Sequence, residues 1–225
     1  MNIQKESPGF RIVFAEDDYL EMDCARYTGI GNVTDAIECM CPNCGKDMFP
    51  AINLKFPDPM LSSIVEWKAP FLRILFCPSC ALYMAPYWIK HVGEKVEIIG
   101  GYRDGGEILQ NIETPYLCRE ISLKPLDAGD YPVDEEKLEK LLARSRDPGV
   151  YHQIGGLPIK GHHDRLNCCN CEKEMKFLGI LDYDDLNVPL YENDHIPVAL
   201  IIGDYDSLNI FSCEMCSVIG MRWAT

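Results

Sequence analysis

A chain of 225 residues, 47% hydrophobic and 25% charged, is globular and long enough to bury a sizeable core as one domain or two. Its 21 basic and 35 acidic side chains leave a net charge of −14, with 16 against 24 in residues 1–149 and 5 against 11 in residues 150–225. A surface acidic in both parts repels phosphate backbones and anionic membranes, which argues against nucleic-acid and membrane partners; it speeds encounter with basic proteins and, in its plainest role, keeps the chain soluble.

The opening residues MNIQKESPGF lack a signal-peptide apolar run, and the longest apolar stretch, IPVALII at Ile196–Ile202, is too short to span a bilayer. A soluble, cytoplasmic protein is the expectation. FRIVFA at Phe10–Ala15, FLRILF at Phe71–Phe76 and KVEIIG at Lys95–Gly100 are short, β-branched and aromatic, and read as strands. Next, VDEEKLEKLLARSRDPG offers Asp134 as an N-cap, acidic residues in its first turn, Leu138, Leu141 and Leu142 on one face, and Arg144 and Arg146 before a Pro-Gly stop. That pattern predicts a short amphipathic helix from Asp134 to Arg146 whose leucines pack on the core.

In QIGGLP at Gln153–Pro158 the glycines Gly155 and Gly156 predict a tight turn with positive φ, and Pro158 fixes the exit. His152 and Gln153 read as turn and packing residues, and no helix pattern follows that would make this a phosphate loop. His162, His163 and Asp164 form a loop cluster that metal or catalytic chemistry would have to use without a recognisable Ser or Cys nucleophile. DYDDLN at Asp182–Asn187 has Asn187 and Asn193 where a calcium loop needs Gly and Glu, so it reads as a solvated acidic turn or a helix start. VALIIG at Val198–Gly203 and LNIFSC at Leu208–Cys213 are the last strand signals.

Eight of the twelve cysteines form CxxC pairs: Cys41/Cys44, Cys77/Cys80, Cys168/Cys171 and Cys213/Cys216. In a reducing compartment disulfides are disfavoured, whereas two facing CxxC hairpins supply four thiolates at tetrahedral distances. Zinc is the natural occupant, and the pattern predicts two structural sites: Cys41, Cys44, Cys77 and Cys80 in one, and Cys168, Cys171, Cys213 and Cys216 in the other. Pairing across the two halves is the alternative. The 32 residues between Cys44 and Cys77 and the 41 between Cys171 and Cys213 exceed the spacing of a minimal zinc ribbon, so each segment is folded structure tied at its ends. FLRILF and LNIFSC each run directly into a CxxC, so the metal would clamp strand ends. Four thiolates leave no open position for water, which argues against catalysis at either site. Cys39 and Cys169 lie beside ligands as possible alternates, and Cys24 and Cys118 read as buried hydrophobes.

One constant offset of 127 residues aligns Cys41, Cys44, Met48 and Leu54 with Cys168, Cys171, Met175 and Leu181, and RYTGIG at Arg26–Gly31 with QIGGLP. This predicts an internal duplication: a mainly β, β-rich α+β protein with a first repeat in residues 1–130, a connecting helix in 131–149 and a second repeat in 150–225, each stapled by zinc.

QIGGLP, MKFLGILDYDDLN and LNIFSCEMC together resemble the YwqG-like family of domains of unknown function, whose pattern is a Gly-Gly-x-Pro turn, a strand of the form FLxQID and a later strand LxxFxC. Gly155, Gly156 and Pro158 match the turn, Phe177, Leu178, Ile180 and Asp182 the first strand, and Leu208 and Phe211 the last. Gly179 stands where Gln is usual. The related programmed-cell-death-protein-2 group carries CxxC hairpins in similar places, together with a separate zinc-finger insert that has no counterpart in this sequence. The resemblance implies a largely antiparallel β assembly with pseudo-twofold halves. It also implies a non-enzymatic binding role, either as an immunity protein that neutralises a cognate antibacterial toxin domain or as a chaperone or assembly factor for a basic protein such as a ribosomal protein.

Overall fold

The computed structural model of the chain describes residues 8–14, 28–29, 39–45, 48–76, 86–101, 120–127, 130–131, 136–137, 139–140, 152–158, 165–181, 189–191, 194–197 and 207–223. Among these residues the fold is mainly β. One sheet of nine strands runs in the order β2 (Thr28–Gly29), β7 (Glu120–Pro125), β1 (Gly9–Phe14), β8 (Gln153–Gly155), β9 (Lys176–Leu181), β12 (Leu208–Cys213), β13 (Val218–Trp223), β5 (Tyr87–Val92), β6 (Lys95–Gly100). Every contact in it is antiparallel except the parallel pairing of β2 with β7. Two further pairs, β3 (Phe49–Lys55) with β4 (Phe71–Phe76) and β10 (Pro189–Tyr191) with β11 (Asp194–Pro197), stand outside the sheet.

Strands expected at Phe71–Phe76, Lys95–Gly100 and Leu208–Cys213 form at those residues, and the first forms at Gly9–Phe14. Glu136, Lys137, Glu139 and Lys140 are helical, inside the span expected for the connecting helix, and Lys140 pairs with Glu136 one turn away at 2.6 Å. The expected strand at Val198–Gly203, the 162–164 cluster and the acidic run at 182–187 lie outside the described residues. Gly155 and Gly156 adopt φ of 73° and 71°, as their turn requires, and Gln153 Nε2 closes that turn by donating to the carbonyls of Gly155 and Leu157 at 3.2 and 2.9 Å. Gly179 has no room for a side chain: a Cβ there would lie 2.4 Å from the Gln153 carbonyl oxygen on neighbouring β8. No helix among the described residues is long and apolar enough to cross a membrane.

Alternation along the strands divides the apolar side chains between the two faces of the sheet. Leu208 and Ile210 of β12 and Ile219 and Met221 of β13 join the larger core, which also holds Ile52, Leu54, Leu72, Ile74 and Leu75 of the β3–β4 pair. Phe211 and Cys213 of β12 and Val218 of β13 join a smaller core with Leu166, Cys168 and Met175. The connection from β3 to β4 carries α1 (Pro59–Ser62), started by Asp58, whose carboxylate accepts from the N–H groups of Met60 and Leu61 at 2.9 and 3.0 Å.

The β3–β4 and β9–β12 ladders repeat each other residue for residue. Phe49 faces Phe76 and Pro50 faces Leu75; Ala51 is extra; then Ile52, Asn53 and Leu54 face Ile74, Arg73 and Leu72. Lys176 faces Ser212 and Phe177 faces Phe211; Leu178 is extra; then Gly179, Ile180 and Leu181 face Ile210, Asn209 and Leu208. One shift, from Phe49 to Lys176, maps the first strands onto each other, and another, from Phe76 to Ser212, maps the second strands, with the β-bulge in the same place.

His91 of β5 is buried at the junction of these layers. Its Nε2 accepts the backbone N–H of Arg73 on β4 at 3.0 Å, its ring meets Trp67 edge-on at 4.9 Å, and its backbone N–H donates to the carbonyl of Ser217 at 2.9 Å. Burial, with the nearby Arg73 charge adding to it, lowers its pKa from 6.5 to about 4. Above pH 6.5 the ring is neutral whether the chain is folded or not; as the pH falls from 6.5 towards 4 the unfolded chain takes up a proton that the folded one refuses. Stability is therefore lost across that window, by about 3 kcal/mol in all. The wild type is expected to lose about 2 kcal/mol more than His91→Gln between pH 7 and pH 5 in urea unfolding; equal losses would show that His91 is not held neutral.

Candidate metal centre

The second CxxC pair of the C-terminal segment sits in the turn between β12 and β13, where Cys213 ends one strand and Val218, directly opposite, begins the next. The turn closes through Cys216 N–H to the Cys213 carbonyl at 3.2 Å and needs φ of 52° at Ser217. The other pair lies before β9. There Glu172 N–H donates to the Cys168 carbonyl at 2.8 Å, Cys168 N–H to the Lys173 carbonyl at 2.9 Å, and Met175 N–H to the Leu166 carbonyl at 2.8 Å, with φ of 60° at Glu172. Because β9 and β12 are neighbours, the two turns face each other.

The result is a cluster of four sulfurs, from Cys168, Cys171, Cys213 and Cys216, all within 4.8 Å of one another. Four thiolates around one zinc, each at about 2.3 Å, stand about 3.8 Å apart. Cys171 and Cys213 are 3.8 Å apart. Cys168 and Cys213 are buried, and burial pushes their thiols up, Cys213 to about 12, whereas the backbone N–H at Lys173 pulls Cys171 down. Desolvated sulfurs at this spacing ionise together only if a cation compensates them. In donor set, geometry and electrostatics the cluster is fit to hold a metal ion.

The small core fixes the scaffold beneath it. Trp88 Nε1 donates to the carbonyl of Asn167 at 3.0 Å, and a Cβ on Gly220 would lie 2.5 Å from Leu166 Cδ2 and 3.0 Å from Met175 Sδ. Gly220 thus lets the residues flanking the first hairpin lie flat on β13. On the far side, Lys176 Nζ donates to the Ile64 carbonyl at 2.5 Å and lies 3.7 Å from the Glu214 carboxylate, which also accepts the N–H of Glu66 at 3.2 Å. The connection between β3 and β4 is thereby fastened to the second cysteine turn. Neither Gly220 nor Asn170, whose Nδ2 donates to Cys216 Sγ at 3.3 Å, stood out in the sequence, where each is a lone small or polar residue.

Of the first set, Cys41 is buried and Cys44 half-buried, while Cys77 and Cys80 lie outside the described residues. The hairpin of Cys41 has the backbone of its counterpart: Gly45 N–H donates to the Cys41 carbonyl at 2.7 Å, Met48 N–H to the Cys39 carbonyl at 2.8 Å, and Gly45 has φ of 70°. Cys39, which takes the place of Leu166, is buried in the larger core, where desolvation and then the neighbouring Cys41 raise its pKa; Cys169 is exposed and outside the cluster of four. Cys24 and Cys118 lie outside the described residues. Comparison of the chain with family models, curated proteins and solved structures finds no match.

Proposed function

We propose that this chain is a non-enzymatic, zinc-stapled binding protein that neutralises a cognate antibacterial toxin domain, as an immunity protein does. The observation that carries the structural half of this reading is the cluster of Cys168, Cys171, Cys213 and Cys216. Thiolates fill all four positions of a tetrahedral ion, so zinc there holds strand ends together and has no vacancy for a substrate. We assign a second zinc to Cys41, Cys44, Cys77 and Cys80, because the Cys41 hairpin and the β3–β4 ladder repeat those of the C-terminal centre. The same repetition supports two halves related by a pseudo-twofold.

The partner follows from charge. Each four-thiolate zinc centre carries −2, so two of them take the formal charge from −14 to −18, and the protein attracts a basic domain at long range. The resemblance of the turn and strand motifs to the YwqG-like family supplies the toxin as that domain. Co-expression with the toxin domain that it neutralises is expected to rescue growth, with one-to-one binding whose on-rate falls steeply as salt is added. A salt-independent on-rate would remove the electrostatic argument. Aggregation of a ribosomal protein on loss of this one, without any rescue, would make it an assembly factor.

A further inference from the structure

Across the C-terminal centre a side chain of one hairpin donates to a sulfur of the other: Asn170 Nδ2 lies 3.3 Å from Cys216 Sγ. Asn170 is itself exposed, so the core does not need it. The residue also recurs: Cys41-Pro42-Asn43-Cys44 and Cys168-Cys169-Asn170-Cys171 share an Asn at the third place, although the second place differs and the residue after each pair is Gly45 in one and Glu172 in the other.

We infer that Asn170 is a positioning residue for the metal centre, holding the Cys216 thiolate in place and damping its nucleophilicity, so that Cys216 is the ligand through which the centre opens when that bond is lost. An N–H donated to a thiolate stabilises the charged sulfur and lowers its readiness to attack an electrophile; without it, the charge stays on sulfur. The inference rests on zinc occupying the four-cysteine set, and the experiment separates the two.

The test uses full-length zinc-loaded protein, N-ethylmaleimide as electrophile, a chromogenic chelator to follow zinc release, and peptide mass spectrometry to find the first adduct. Asn170→Asp keeps the shape and replaces the donor with an acceptor; Asn170→Ala removes it. Both variants are expected to bind zinc at the wild-type ratio and to melt within a few degrees of it, but to release zinc about tenfold faster, as loss of one hydrogen bond to a charged group implies. Among the four ligands, as distinct from the exposed Cys169, the first adduct is expected on Cys216. With cobalt(II) in place of zinc, the sulfur-to-metal charge-transfer band is expected to move to longer wavelength, which a merely structural role would not cause. Release rates within twofold of wild type, or a first ligand adduct on Cys168, Cys171 or Cys213, overturn the inference while leaving the zinc assignment standing. Wild-type protein with no metal bound to this set removes both.

Discussion

Cys168→Ser is expected to remove one zinc ion per chain and to unfold the C-terminal centre. A serine hydroxyl does not ionise near neutral pH, so the remaining three sulfurs would hold the ion without a fourth anionic ligand. Cys168 is 1% exposed and belongs to the small core with Phe211, Met175 and Val218, so its replacement also puts a more polar group there. Structural zinc contributes on the order of 10 kcal/mol to a folded site, comparable with the whole stability of a domain. The expected readouts are zinc content falling from about two ions per chain to about one, and a melting transition lowered by tens of degrees or split into two. Cys41→Ser is expected to remove the other ion, and Cys169→Ser, at an exposed position outside the cluster, neither. Retention of both ions by Cys168→Ser would exclude this ligand set, and iron instead of zinc would correct the identity of the metal but not its site.

Much of this was legible because it is local. A strand that ends in CxxC carries its own periodicity and its own ligands, and the offset between Cys41 and Cys168 could be counted before any geometry was known. The Gly155–Gly156 turn was legible for the same reason: two adjacent glycines before Leu-Pro have few other uses. What could not be read were pairings between distant strands. Residues of β1, β7, β5 and β6 precede the connecting helix, yet β1 pairs with β8 and β5 with β13, so the nine-stranded sheet interleaves the segments on either side of that helix. Short strands with similar alternation carry no mark of their partner, and which one wins is decided by packing of whole faces. Gly179 and Gly220 were opaque for a related reason, since each is small to suit a neighbour contributed by a different strand or turn. Asn170 needed the position of a sulfur 46 residues away.

The other large effect is expected at Gly155, where two costs coincide. Its φ of 73° lies in the left-handed region, which costs a residue with a side chain roughly 1–2 kcal/mol. A Cβ there would also lie 2.4 Å from the carbonyl oxygen of Pro8 and 2.9 Å from Ile64 Cδ1. The first of those atoms is backbone and is committed, because the Pro8 carbonyl accepts the N–H of Gly156 at 2.9 Å, and Gly9 beside it pairs with Gly155 across β1 and β8. The second belongs to the β3–β4 connection, whose Ile64 carbonyl and Glu66 N–H are tied to Lys176 and to Glu214 of the cysteine turn. Relief of the clash must therefore open the β1–β8 pairing at the Pro8 oxygen and move the Ile64 side chain beside it, and overpacking of this kind costs roughly 1–3 kcal/mol more. Gly155→Ala is expected to destabilise the protein by about 4 kcal/mol, lowering the melting temperature by roughly 10 °C for a chain of this length. Gly93→Ala is the matched comparison: Gly93 has φ of 62° in the turn between β5 and β6, with nothing within 4 Å of its added Cβ, so it bears the backbone cost alone. Gly155→Ala should fall well below Gly93→Ala in urea midpoint, with zinc lost at lower denaturant than in the wild type. Equal midpoints for the two variants would put the whole cost in the backbone angle and show that β1 and β8 do not close on each other through Gly155.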